Sequence, residues 1–137
     1  MAETTSSVLL AAVTEMESAA FRAGQVARRL IAEHPHLTVR TATAGMHATV
    51  YSDGERSGQP RLELRTADTA GTHTWADALG AEPESRTKDV GSYVYESVTC
   101  TATVDGVLVE VSGSRPLDES EAAAWRAAGD QGDGGDS

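Results

Sequence analysis

The sequence predicts an α+β protein in which a long N-terminal helix packs on an antiparallel five-stranded sheet. Three observations predict this class. Apolar residues recur at helical spacing over residues 6–34, apolar and polar residues then alternate with the period of a strand, and Asp105-Gly106 is typical of a tight hairpin turn. The expected order is α-β-β-β-α-β-β-α. One domain over 1–128 is followed by a disordered, acidic, glycine-rich tail over 129–137.

The first element is an amphipathic helix that ends before Pro35. Its apolar positions lie four and three residues apart, and we expect them to face the core. They are Leu9, Val13, Met16, Ala20, Ala23, Ala27 and Leu30, with Phe21, Val26 and Ile31 widening the set. The alanine-rich middle permits close approach of another helix. The helix therefore either forms a dimer interface or lies across the sheet of a monomer.

Three strands are expected before the second helix, near residues 37–43, 46–51 and 60–66. The parity of the apolar positions changes at Ala44-Gly45, which predicts a tight hairpin or a bulge there. We expect a polar loop over 52–59 and a charged loop over 81–91.

The last two strands, near 92–104 and 107–113, flank Asp105-Gly106. A two-residue turn places Val104 opposite Val107 and Cys100 opposite Val111, so one side of the hairpin is apolar. The agreement between the turn signal and the alternation makes this hairpin the best local prediction.

Two short helices complete the expected fold. One covers 73–80, with Thr74 as N-cap, Trp75 in the core and Gly80 at the C-terminal end. The other covers 118–128, where Asp118 can cap the helix and Glu121 takes the capping-box position.

Charge and composition exclude several classes of function. The chain has 21 acidic and 11 basic residues, and the basic ones are scattered, so neither nucleic-acid binding nor a basic membrane-surface helix is expected. The apolar run over 8–13 is too short to span a bilayer and lacks a preceding cationic segment. Ten of the 11 basic residues are arginines, and with 22 alanines they indicate a GC-rich genome, actinobacterial or from a phage of such a host.

No catalytic signature occurs in the sequence, so we expect no catalytic residue, no metal site and no cofactor. A metal could in principle use His34 and His36, but their position at a helix end favours a structural role. The single cysteine, Cys100, excludes an internal disulfide and is expected to be a buried, inert thiol. We expect a cytoplasmic protein.

The order of elements over residues 6–128 resembles that of the class I type III secretion chaperones and related small α+β domains. The resemblance implies an acidic, dimeric, cytoplasmic protein that holds a partner polypeptide. It lies in the topology alone, because no sequence motif of that family occurs here, and it carries over no binding residue.

We therefore expect a non-enzymatic, homodimeric protein-binding module, chaperone-like or an adaptor. The candidate partner-binding residues are Trp125, Leu117, Phe21, Leu9 and Val13. Two alternatives stay open. One is an acidic regulatory protein of a host or phage that occupies a basic DNA-binding partner, with strongly salt-dependent binding. The other is a small ligand-binding domain or enzyme that uses the concave sheet face, which requires Thr99, Thr101 and Thr103 to line a pocket.

Overall fold

A computed structural model describes residues 5–136, with side chains described as far as residue 129. Three helices and five strands lie in this range. They are α1 (Thr5–Glu33), β1 (Thr41–Val50), β2 (Arg56–Arg65), α2 (Thr69–Leu79), β3 (Glu84–Asp89), β4 (Val94–Val104), β5 (Val107–Pro116) and α3 (Glu119–Asp136). The strands form one sheet in the order β1-β2-β5-β4-β3. The α+β class is confirmed.

The sheet is mixed, so the prediction of a purely antiparallel sheet is wrong. β2 runs parallel to β5, with Leu62 beside Val109 and Leu64 beside Val111, while the other three strand pairs are antiparallel. Three strands follow α2 and alternate in direction. The third of them, β5, lies beside β2 and runs in the same direction. The alternation of apolar and polar residues within a strand does not indicate which strand will be its neighbour.

The division into strands also differs from the prediction. The expected strands 37–43 and 46–51 are one strand, β1, which pairs with β2 without interruption from Thr41 to Val50. The parity changes because Leu37 and Val39 precede the strand, and no bulge is needed. The charged loop expected over 81–91 contains β3, whose charged side chains are typical of an edge strand. The observed order is α-β-β-α-β-β-β-α.

The hairpin between β4 and β5 is confirmed. Asp105 and Gly106 have positive φ angles of 49° and 79°, as a type I′ turn requires. The register pairs Val104 with Val107 and Cys100 with Val111. Cys100 is 2% exposed.

The core lies on one face of the sheet, beneath α1 and α2. α1 packs mainly on β1 and β2, and α2 packs on β4 and β5. The buried cluster consists of Ala23, Val26 and Leu30 from α1, Trp75 and Ala76 from α2, and Leu62, Leu64, Cys100, Val107, Val109 and Val111 from the sheet. Aliphatic side chains provide most of this core, as the low aromatic content predicts.

α2 begins earlier than expected. Its N-cap is Asp68, whose carboxylate accepts a hydrogen bond from the backbone N–H of Gly71 at 2.8 Å, and Thr74 lies inside the helix. Gly80 ends the helix in the left-handed conformation, as predicted. The start of α2 packs tightly on β5, because a Cβ at Gly113 would overlap the Asp68 carbonyl and the Thr66 hydroxyl.

α3 begins with the predicted capping box. The Asp118 carboxylate accepts from the backbone N–H of Glu121 at 2.7 Å, and Glu121 accepts from the N–H of Asp118 at 3.3 Å. Arg126 binds Asp89 and ties the helix to β3. α3 runs to Asp136, past the predicted end at residue 128, and so extends into the predicted tail over 129–137, whose side chains after residue 129 lie outside the described part of the structure.

Candidate functional site

The apolar residues of α1 lie on two sides of the helix. One side faces the sheet and is buried: Ala19, Ala23, Val26 and Leu30. The other side is exposed and includes Leu10 together with five of the residues expected in the core: Leu9, Val13, Met16, Phe21 and Ile31. The prediction of a single buried stripe is therefore wrong for Leu9, Val13, Met16 and Ala20, and correct for Ala23 and Leu30.

The exposed side forms a broad face in which most side chains are apolar. We define the apolar face of α1 as Leu9, Leu10, Val13, Met16, Ala20, Phe21, Gly24 and Ile31. At about 100° per residue, Leu9, Val13 and Ile31 lie within about 40° of one another, and the face is centred roughly a third of a turn from the buried side. Leu9 is 63% exposed and Ile31 is 69% exposed. Exposed apolar side chains grouped in this way make the face a candidate interaction surface.

The middle of this face is formed by small residues. Both Ala20 and Gly24 are exposed, and they lie one turn apart. A Cβ built on Gly24 would meet no atom within 4 Å, so the space above it is open. Small side chains at such positions allow the axis of a second helix to come close.

Two charged residues lie among these apolar side chains, because at about 100° per residue Glu17 and Arg28 project between Gly24 and Phe21. Glu17 and Arg28 are both exposed, and neither forms an ion pair among the described side chains. By contrast, Arg29 lies on the other side of α1 and bonds Glu33 at 3.1 Å and Asp105 at 2.7 Å. The side chains of Glu17 and Arg28 are therefore available to a partner.

A shallow apolar cleft continues the face at the C-terminal end of α1. It has a volume of about 250 Å³. Its lining is Ala27, Leu30, Ile31, His34, Leu37, Val39, Ala42, Leu62, Leu64 and Trp75. The Trp75 indole N–H donates to the Thr38 carbonyl at 3.1 Å, and the His34 ring packs edge-on to Trp75 with centroids 6.0 Å apart. These contacts hold the loop after α1 in place, so the cleft is built into the fold.

The structure brings together three of the five predicted partner-binding residues. Leu9, Val13 and Phe21 lie on the apolar face of α1. Trp125 is 39% exposed and belongs to α3, and Leu117, which is partly buried, precedes that helix. Since α3 is tied to β3 while α1 packs on β1 and β2, the two groups lie at opposite edges of the sheet.

Sequence reasoning missed the cleft and placed Met16 and Ile31 in the core. The helical spacing did include both residues. It could not give the direction of the sheet, because the exposed and buried lines of α1 share the same spacing.

On the uncovered sheet face, two cavities among the described residues are lined by different threonines of the ligand-binding alternative. A cavity of about 370 Å³ is lined by His47, Arg61, Thr103 and Leu108 among others. Thr99 lines a different cavity of about 260 Å³ with Arg86. Arg61 lies within 3.0 Å of Glu63 and 3.3 Å of Glu110, so its positive charge is shared between two carboxylates on this face.

The Cys100 thiol lies in the buried core. Burial raises the pKa of the Cys100 thiol, which keeps it in the unreactive protonated form. Among the described side chains, no group of three or more histidines, cysteines or acids is placed to hold a metal ion.

Comparison with known proteins leaves the chain without an assigned family, because no protein-family model matches it and no curated protein is significantly similar in sequence. Within the described residues, no helix combines the length and apolar character needed to cross a bilayer.

Proposed function

We propose that the chain is a non-enzymatic protein-binding module that works in the cytoplasm as a homodimer, with α1 as its self-association surface. The observation that carries this proposal is the apolar face of α1, where six large apolar side chains from Leu9 to Ile31 are exposed. The single buried cysteine supports the cytoplasmic location. The proposal does not depend on the resemblance to secretion chaperones.

Association of two copies would remove the exposed apolar side chains of α1 from water. Full burial of a large aliphatic or aromatic side chain is worth about 1.5–3 kcal/mol, so covering several of them can offset the entropy lost on association. α1 has 29 residues and is roughly 43 Å long at about 1.5 Å per residue. An element of this length provides a long contact for a second helix.

The two edges of the sheet differ in a way that supports a further protein partner. β3, at one edge, has four charged residues among its six, which discourages strand pairing. β1, at the other edge, has ten residues and His47 is its only ionisable side chain. An extended segment of a partner polypeptide can therefore add to β1 through backbone hydrogen bonds.

A matched pair of substitutions tests the homodimer. Val13→Asp places a charge on the apolar face of α1, whereas Ser18→Asp places the same charge on an exposed position away from it. We expect the wild type and Ser18→Asp to have dimeric masses by multi-angle light scattering, and Val13→Asp to have a mass near 14.3 kDa. A Val13→Asp protein that stays dimeric, or a Ser18→Asp protein that dissociates, contradicts the proposal.

A further inference from the structure

We propose that α1 pairs antiparallel with α1 of a second copy, about a twofold axis close to position 22, so that Glu17 of each copy lies beside Arg28 of the other. This inference rests on the proposed homodimer and specifies its geometry.

The antiparallel pair matches the small and the large apolar residues of α1 in the two copies. A twofold axis pairs each residue with the one equally far on the other side of the axis. An axis near position 22 places Ala20 beside Gly24 of the second copy, and Val13 beside Ile31 of the second copy. The small residues then meet where the helices cross, which permits an axial separation near the lower end of the usual 8–10 Å. The large residues meet on either side.

The antiparallel pair also brings opposite charges together. Glu17 and Arg28 project from α1 at nearly the same angle, because eleven residues correspond to about three turns. A twofold axis perpendicular to both helices keeps residues of one flank on the same flank of the dimer. It therefore brings the exposed Glu17 of one copy to the exposed Arg28 of the other, twice per dimer. A parallel arrangement, with the twofold axis along the helices, would instead leave Glu17 and Arg28 of the two copies eleven residues apart along the pair and on opposite flanks, so they would not meet.

The antiparallel pair also covers the apolar cleft at the C-terminal end of α1. In the antiparallel pair, the N-terminal turns of the second copy's α1 lie over the C-terminal turns of the first. Leu9 and Val13 of the second copy then lie next to the cleft that Ile31, Leu37 and Val39 line. One arrangement thus covers the apolar face of α1, closes the cleft and pairs Glu17 of each copy with Arg28 of the other.

A charge exchange tests this geometry. Glu17→Arg alone creates two Arg–Arg contacts, and Arg28→Glu alone creates two Glu–Glu contacts. The double variant restores opposite charges in reversed order. We expect each single variant to raise the dimer dissociation constant by about tenfold or more, and the double variant to return it to within about threefold of wild type. Sedimentation equilibrium over a range of concentrations gives these constants.

The control is Glu82→Arg, which makes the same change of net charge as Glu17→Arg at an exposed residue outside α1. We expect it to dimerise as wild type does. All these positions are exposed, so circular dichroism should show an unchanged fold. Single variants with wild-type constants, or a double variant as weak as the singles, overturn the antiparallel geometry while leaving the homodimer in place. A monomeric wild type overturns both.

Discussion

Leu30 and Ile31 are neighbours of similar size with opposite environments, since Leu30 is 5% exposed and Ile31 is 69% exposed. Leu30 packs in the core cluster, where truncation to alanine leaves a cavity. Ile31 contributes to the apolar face of α1 and to the rim of the cleft. Substitution of Leu30 should therefore affect the stability of the fold, whereas substitution of Ile31 should affect association.

We expect Leu30→Ala to lower the free energy of unfolding of the monomer by about 2–5 kcal/mol. Ile31→Ala should lower it by less than about 1 kcal/mol, because most of that side chain is already in water. Urea denaturation at concentrations below the dimer dissociation constant measures both. Equal losses for the two variants would show that the described orientation of α1 is wrong.

At the scale of elements, the link between α3 and the sheet is an ion pair. Both guanidinium nitrogens Nε and Nη2 of Arg126 donate to the Asp89 carboxylate, at 2.8 and 3.0 Å. The Arg126 hydrogen bonds lower the pKa of Asp89 from 3.8 to about 2, and a backbone N–H from Gly91 adds to the effect. A second contact joins Arg115 to Glu121, and it lowers the pKa of Glu121.

The Asp89 pair predicts a pH dependence. A carboxyl group with a lowered pKa in the folded state contributes stability above its ordinary pKa of 3.8, and this contribution is lost as the pH falls through about 2. The difference in Tm between wild type and Arg126→Gln should therefore be present near pH 6 and vanish near pH 2. Differential scanning calorimetry across this range measures it. A difference that does not change with pH would contradict the ion pair.

The contrast between the two edge strands gives a prediction about partner binding. Extended peptides selected from a display library against the wild-type protein should add to β1. Amide hydrogen exchange should then slow over residues 41–50 and stay unchanged over 84–89. Slowed exchange confined to α3, or to β3, would show that the partner surface lies elsewhere.

Local signals predicted some elements well. The β4–β5 hairpin follows from two adjacent residues that both tolerate positive φ, and the start of α3 follows from Asp118 and Glu121. The parallel pairing of β2 with β5 has no such signal, because it joins strands separated by α2 and two further strands. β3 was missed because its edge position favours charged residues that also suit loops.

The sequence predicts part of the candidate site, because local spacing shows which residues share a side of α1 but does not show which side faces the sheet. The spacing of Leu9, Val13 and Met16 correctly indicates one side of a helix, and the sequence left open whether that helix meets a second copy. Which side faces the sheet depends on partners distant in sequence, such as Leu62 and Trp75. The cleft depends on the same tertiary contacts, and no local pattern predicts it.

At the scale of the whole molecule, net charge and local complementarity act in opposite directions. Each copy has a formal charge of −10, so long-range repulsion opposes association. At about 0.15 M salt the screening length is about 8 Å, and short-range contacts along α1 dominate. Isologous helix pairing is a common way for a small domain to cover an apolar face.

This chain should assemble through α1 into a dimer. The most direct measurement is sedimentation equilibrium of the unmodified protein at about 0.15 M salt, from low to high micromolar concentration. We expect a single reversible species of twice 14.3 kDa at the upper end of this range. A mass of 14.3 kDa at every concentration would contradict it, and the apolar face of α1 would then remain uncovered in the free protein.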